Sequence, residues 1–307
     1  MLFSNPLAAQ SEAAIPPLHQ LADQGFTQAE VVLPSSRRDR ENLKDLLQVT
    51  GIRPIAFRAP AHLGLGTAAP LNKEEWTGWM EAIAPLFRGK HRYLICHGAT
   101  VTLGEVFEYL DARPRDFNAL HDYKTQYVEQ MIEQLGQLEE AAQPFGIHLL
   151  VENAPMGGPE YFEPGKNWIH PALRTPRHLL RITEATGVKL CFDTAHARIT
   201  SNVFTYMHRS RSLFAASTEK EILNATRSWI QFYEQVKERT AIVRLSYSVS
   251  WGDTPDTCHI PFPEAAYAEL LDFAEQIPSK TPIVLPSGAR EETLPALKSA
   301  LHRLKKR

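Results

Sequence analysis

The sequence predicts a single closed (β/α)8 barrel, a TIM barrel in which residues 1–307 form one domain, and three observations predict it. Eight short apolar runs alternate with longer amphipathic stretches. The chain ends on the eighth amphipathic stretch, as a closed barrel does. The competing architecture, a doubly wound open sheet, would be expected to carry a glycine-rich phosphate loop after an early strand, and neither GxGxxG nor a P-loop occurs. The length fits, because α/β barrels commonly run to ~250 residues or more as one domain.

The strand runs are LFSN (2–5), QAEVVLP (28–34), RPIAFRAP (53–60), RYLICHG (92–98), IHLLVEN (147–153), VKLCFD (188–193), AIVRLSYS (241–248) and TPIVLPSG (281–288). Most are rich in Val, Ile, Leu or Phe, as strands buried on both faces require. Helical spacing places Leu18 and Leu21 on one face near 11–24, and Leu43, Leu46 and Leu47 near 37–50. Trp76, Trp79, Met80 and Ile83 mark a helix over 73–88. Val128, Met131, Ile132, Leu135 and Leu138 mark a long one over 117–144. Further helices are expected near 175–186, 218–238, 263–276 and 290–306. Gly25, Gly51, Gly146 and Gly187 precede strands, where a left-handed helix stop is useful, and Thr175-Pro176 and Pro261–Pro263 suit helix starts.

Bulk composition excludes several classes. Hydrophobic residues make up 43% of the chain, enough for a sizeable core, and the formal net charge of −2 exerts no global pull on nucleic acid or membrane. The three cysteines, Cys96, Cys191 and Cys258, are far apart and odd in number, which fits a reducing, cytoplasmic setting. The first residues lack a basic segment leading into a long apolar run, and no stretch approaches the ~18 apolar residues of a membrane span.

In such a barrel function lives where strands run into their following loops. That edge reads Asn5, Arg58, His97, Glu152 with Asn153, Asp193 with His196, Arg244 to Ser248, and Pro286-Ser287. Ionisable groups in a tight ring are costly unless paired, hydrated or bound to metal. Glu152 and Asp193 end consecutive apolar strands, so their carboxylates should be neighbours. They repel unless one is protonated, a cation lies between them, or arginines such as Arg58 and Arg244 hold them. A divalent Mg, Mn or Zn ion suits the pair, with His97 as a nitrogen ligand. His196 stands three residues after Asp193 and reads as a substrate contact, proton carrier or further ligand, or as a loop histidine bonded to backbone. After the seventh strand, Asp256, Cys258 and His259 can form a zinc site or simply a capping loop, and Trp251 could stack on a sugar face or pack. The cluster HRSRS (208–212) falls in the expected loop after the sixth strand, where it could meet a phosphate or remain solvated. Cys96 adjoins His97 but must point to the opposite face, and no GxSxG elbow occurs.

At these residues the chain resembles the xylose isomerase-like barrel superfamily of sugar isomerases, epimerases and endonuclease IV-type nucleases. FRAP (57–60), ICHGA (95–99), VENAP (151–155), LCFDTAHA (190–197) and HIPFPE (259–264) carry the resemblance. It implies that Glu152 and Asp193 are metal ligands, that His97 matches a further ligand position in the nucleases, and that His196 contacts substrate or metal. In the epimerases Glu152 would also be one of two acid/base carboxylates. The chain departs from the pattern at Arg58, where the family usually has histidine. It departs again at the seventh strand, which carries Arg244, Ser246 and Ser248 in place of a metal-binding histidine, and at the eighth, where VLPSG (284–288) replaces an ending in glutamate.

Three functions follow. The first is a divalent-metal-dependent isomerase or epimerase of a small sugar or sugar-like substrate. In it Glu152 and His196 are catalytic, Glu152, Asp193 and His97 hold metal, and Arg58, His97, Asn153, Arg244, Trp251 and His259 touch substrate. The arginines would suit an anionic substrate or neutralise the carboxylates without metal. The second is a catalytically diverged barrel with a binding or scaffold role. The third, an endonuclease IV-like phosphodiester hydrolase, is disfavoured with nucleic acid itself by the altered ligand positions and the acidic balance. A homo-oligomer stays open.

Overall fold

The computed structural model describes residues 3–34, 37–157, 167–249, 251 and 253–304, with 15 and 37–41 described in backbone alone. Eight strands form the closed ring: β1 (Leu7–Glu12), β2 (Gln28–Val32), β3 (Arg53–Arg58), β4 (Tyr93–Cys96), β5 (His148–Glu152), β6 (Lys189–Asp193), β7 (Thr240–Arg244) and β8 (Ile283–Leu285). Each pairs in parallel with its sequence neighbour, and β1 closes on β8 through Leu7↔Ile283 and Ala9↔Leu285. The expected closed barrel is the observed one.

The helices are α1 (Ile15–Asp23), α2 (Arg37–Thr50), α3 (Lys73–Ile83), α4 (Leu103–Asp111), α5 (Ala119–Ala142), α6 (Pro176–Thr186), α7 (Thr194–Ser210), α8 (Glu219–Leu223), α9 (Trp229–Val236), α10 (Tyr267–Gln276) and α11 (Thr293–Arg303). α6 illustrates how the sequence sets its own limits. Pro176 stands in its first turn, and Gly187 ends it with φ of 78°, a left-handed conformation that suits glycine. Four elements differ from expectation, one of them the helix expected near 218–238, which is broken into α8 and α9. The first strand is Leu7–Glu12, not 2–5; its sequence LAAQSE lacks a branched apolar run, and its place is fixed by pairing with β2 and β8. Asn5 therefore lies at the opposite end of the ring, where its amide donates to the carbonyls of Pro278 and Thr281 at 2.8 Å each. The stretches 103–111 and 194–210, not expected as helices, are α4 and α7, so HRSRS begins in the last turn of α7 and not in a loop.

Two apolar layers hold the fold. Between strands and helices lies the larger one, which includes Trp76, Trp79, Phe192, Phe232, Tyr233 and Phe273; the Tyr233 and Phe273 rings meet edge-on at 4.9 Å. Full burial of each such side chain stabilises by roughly 1.5–3 kcal/mol. Cys96 packs in this outer layer, as its position beside His97 requires. Inside the ring Ala8, Ile55, Ala56, Ile95, Leu150, Cys191, Ile242 and Val284 form a separate small cluster. Because side chains alternate along a strand, the next inward position lies two residues further on. From Ala8, Ala56, Ile95, Leu150, Cys191, Ile242 and Val284 that rule reaches Gln10, Arg58, His97, Glu152, Asp193, Arg244 and Pro286. A polar layer thus sits on the apolar plug at the C-terminal end of the strands.

Candidate active site at the strand ends

The polar layer is a network of buried charges. Arg58 reaches both oxygens of Glu152, Nη2 donating to Oε1 at 2.9 Å and Nη1 to Oε2, while its Nε donates to Glu30 Oε1 at 3.0 Å. Arg244 donates to Glu152 Oε1 at 3.1 Å and to Glu30 Oε1, and lies 3.6 Å from Asp193 Oδ2. Three carboxylates therefore face two guanidiniums. Glu30, not singled out in the sequence, is fully buried and anchors both arginines. The β2–β3 register shifts between Ala29 and Glu30, an irregularity of the kind that re-aims a side chain. An acidic residue interrupting the run QAEVVLP was the signal available for it. Burial by itself would raise the Glu152 carboxyl, but the Arg58 and Arg244 charges outweigh it and hold the group well below the usual carboxylate range.

Asp193 owes its position to capping. It precedes α7, and its Oδ1 accepts from the His196 backbone N–H at 2.9 Å, the ordinary N-cap bond to the third helical residue. The three-residue spacing of Asp193 and His196 is thus a helix start, and it turns the imidazole into the mouth. Asp193 Oδ2 has no hydrogen-bond partner among the described residues. Asn153, expected to touch substrate, is the residue that locks β5 to β6. Its Nδ2 donates to the Asp193 carbonyl at 2.9 Å, and the Asp193 N–H donates to its Oδ1 at 2.7 Å.

His196 Nδ1 lies 3.0 Å from the Asn153 carbonyl, and Nε2 lies 3.6 Å from Asp253 Oδ2. Burial would lower this imidazole, but Asp193, Asp253 and Glu152 outweigh it and raise it to about 9. His97 moves the other way, pushed by burial and the Arg58 charge down to about 4. Ligand atoms of Glu152, Asp193 and His196 lie within 4.8 Å of one another; His97 does not join that group. Sequence thus anticipated the meeting of the two carboxylates, and the structure supplies His196 as their nitrogen neighbour.

The segment after β7 folds back over the mouth as an antiparallel excursion. Tyr247 and Ile260 exchange backbone hydrogen bonds at 2.9 and 3.1 Å, and the Val249 N–H donates to the Thr257 carbonyl at 3.0 Å. This brings His259 to 5.1 Å from the His196 ring, with His259 Nδ1 3.1 Å from Ser246 Oγ and 3.8 Å from Asp193 Oδ2. Asp253 and Cys258 accompany it, whereas Asp256 points outward beside Arg290 at 3.4 Å. Trp251 lies against Tyr206 and Phe214, at ring distances of 4.5 and 6.2 Å, as packing rather than as a wall of the cavity. A cavity of about 300 Å³ opens beside these residues, lined among others by Gln10, Asp253, Cys258, His259, Pro286 and Ser287.

A family model described as xylose isomerase-like TIM barrel matches residues 18–216. No curated protein sequence matches the chain. Among solved structures, a D-tagatose 3-epimerase-like protein is 15% identical, with 97% of this chain and 96% of that one covered and a TM-score of 0.59. The IOLI protein with a bound zinc atom is 14% identical over 96% of each chain, TM-score 0.57. An AP endonuclease, family 2, from Brucella melitensis is 16% identical over 94% of this chain and 96% of its own, TM-score 0.55. At these identities the likeness is one of fold. Among the described residues no helix is long and apolar enough to cross a membrane.

Proposed function

Because the chain belongs to the xylose isomerase-like TIM barrel family, we propose that it is an isomerase or epimerase of a small sugar or sugar-like substrate seated in the cavity beside the strand ends. The supporting observation is the convergence of Glu152, Asp193 and His196 in one buried cluster next to a solvent-open cavity. Such a reaction moves a proton at a carbon beside a carbonyl, and it needs a positioned base and a group that stabilises the charge developing on oxygen.

A divalent ion held by Glu152 does not fit these residues. Both Glu152 oxygens accept from guanidinium groups, so a cation there would confront two like charges at close range. No step is derived through a metal at that position. In this reading Glu152 stays ionised across physiological pH and is the proton acceptor. Arg58 and Arg244 fix its orientation and keep it ionised, and Glu30 holds both arginines. Arg58 is the partly exposed member of the network, and its charge draws an oxyanion or acidic group of the substrate to the rim.

The same arginine clamp favours a second reading, a diverged barrel that binds such a ligand without transforming it, because a carboxylate held so firmly ionised is a weak base. One experiment separates the two. A panel of ketoses, aldoses and sugar acids is incubated with the protein in D2O, with deuterium incorporation followed by NMR and binding by thermal shift. Exchange that is lost in Glu152→Gln supports the enzyme. Binding without exchange supports the diverged barrel, and neither binding nor exchange defeats both.

A further inference from the structure

Outside the ring, where α5, the start of α6 and α8 meet, lies a second group of buried ionisable side chains. We propose that the cleft between these three helices is a binding site for free hydrogen phosphate, held by Lys124, Arg177, His178 and Lys220 and discriminated by Glu221. These five residues and His121 line a cleft of about 30 Å³. A buried water takes about 10–15 Å³, so the cleft suits a pair of waters or one compact oxyanion and is too small for a sugar. It shares no lining residue with the cavity beside the strand ends.

The charge balance calls for an anion. Among the described lining residues, Lys124, Arg177 and Lys220 stand against one carboxylate, Glu221. Arg174 adds its charge from behind, with Nη2 3.6 Å from Glu221 Oε2. Burial, with the Lys124, Arg174 and Arg177 charges, outweighs Glu221 and pushes the His178 imidazole down to about 3, so a neutral ring sits among cations. An anion in the cleft relieves that crowding. Helix α6 begins here, and its N-cap Thr175 makes no side-chain cap bond, so the positive end of the helix adds to the same field.

A second, independent observation selects which anion. Glu221 Oε2 accepts from Lys124 Nζ and from the Thr218 backbone N–H at 3.0 Å. Its Oε1, on a side chain only 8% exposed, has no hydrogen-bond partner among the described residues, and neither has His178 Nδ1. Buried polar atoms left in this way are costly and point to a ligand or water that completes them. Both residues line the cleft, so a small rotation of each turns these atoms into it. Hydrogen phosphate supplies both missing partners. Its P–OH donates to Glu221 Oε1, and its other oxygens accept from Arg177, Lys220 and the Nδ1–H tautomer of His178. Sulfate carries no proton near neutral pH, so its oxygens would meet Glu221 as like charges.

The inference stands apart from the substrate reading, and either can fail alone. The test is equilibrium dialysis of the full-length protein against labelled phosphate at pH 7.5 and constant ionic strength, with sulfate and methyl phosphate as competitors. About one phosphate per chain is expected. Sulfate, and methyl phosphate as a dianion without P–OH, should bind about tenfold or more weakly. The double variant Arg177→Gln/Lys220→Gln, at two exposed positions, should weaken phosphate about tenfold or more. Lys237→Gln, at an exposed cation away from the cleft, should leave binding unchanged. Glu221→Gln, whose amide can donate, should bring sulfate within about threefold of phosphate. Wild-type protein that binds no phosphate overturns the proposal, as does sulfate or methyl phosphate competing as well as phosphate itself, or full binding in the double variant. Should Glu221→Gln fail to fold, the wild-type preference for phosphate over sulfate decides.

Discussion

Removing Arg244 tests the charge network at its most connected point. In Arg244→Met three buried carboxylates, Glu30, Glu152 and Asp193, would keep Arg58 as their guanidinium partner, with the His196 imidazole beside Glu152. At 3.1 and 3.6 Å, with an effective dielectric of about 20, each lost contact is worth about 5 kcal/mol before desolvation. Arg58 repels Arg244, and removing the buried guanidinium also removes its desolvation penalty, so most of that sum cancels. The net loss expected at pH 7 is about 3–5 kcal/mol, the usual cost of orphaning buried charge. Glu30→Gln should cost a similar amount by leaving two guanidiniums against Glu152 and Asp193. The double variant restores the original charge difference and keeps the Arg58–Glu152 pair, so it should lie within about 2 kcal/mol of wild type. Denaturant unfolding followed by tryptophan fluorescence and circular dichroism measures all four proteins. The pH dependence has a definite sign. Wild-type Glu152 is depressed, so its stabilisation is present above the unfolded carboxylate value of about 4.3 and is lost as pH falls through the folded value. In Arg244→Met that carboxyl rises, so the deficit relative to wild type should shrink between pH 7 and 5. Losses of the two single variants that simply add in the double variant would refute the network.

Other expectations concern separate parts of the molecule. Glu152→Gln should leave Arg58 and Arg244 underpaired, costing about 3 kcal/mol at pH 7, as read by the denaturation midpoint. A second buried cluster joins Lys124 to Glu221, with Arg174 at 3.6 Å from the same carboxylate. Burial drives Lys124 down to about 7, while Glu221, which burial alone would raise, is pulled to about 2 by Lys124 and Arg174. Lys124 bears both its own desolvation and the Arg174 charge, whereas Glu221 gains from both cations. In the wild type the lysine's penalty should ease as pH rises from about 7 towards 10, so stability should increase over that interval. Glu221→Gln should destabilise more at pH 6 than at pH 8.5, because Lys124 sheds its proton in between; equal losses at the two pH values would contradict this. Gly66→Ala should cost about 2 kcal/mol or more in thermal or denaturant unfolding, since φ is 98° and the added Cβ would stand 2.7 Å from the Tyr127 ring and 2.8 Å from Met131.

Much of the ring was legible because its signal is local. Seven of the eight strand runs stand where expected, and alternation carries Arg58, Glu152, Asp193 and Arg244 inward once Ala56, Leu150, Cys191 and Ile242 are inside. The first strand was not legible, since LAAQSE carries no branched apolar pattern and its place depends on β2 and β8. That error also hid Gln10, which lines the cavity. Glu30 was hidden because a carboxylate within an apolar run reveals no partner until Arg58 and Arg244 arrive from strands 28 and 214 positions away in the chain.

By itself the sequence determined the alternation of strands and helices, the closure of the ring and the identity of the ionisable side chains at its C-terminal edge. Only the tertiary structure decided which charges pair, that both Glu152 oxygens are held by arginines, and that Asp253 rather than Asp256 joins Cys258 and His259. The reason is physical. Periodicity and capping act over a few residues and can be read from adjacent letters, whereas electrostatic pairing acts through space, between atoms whose separation the chain does not encode until the ring has closed.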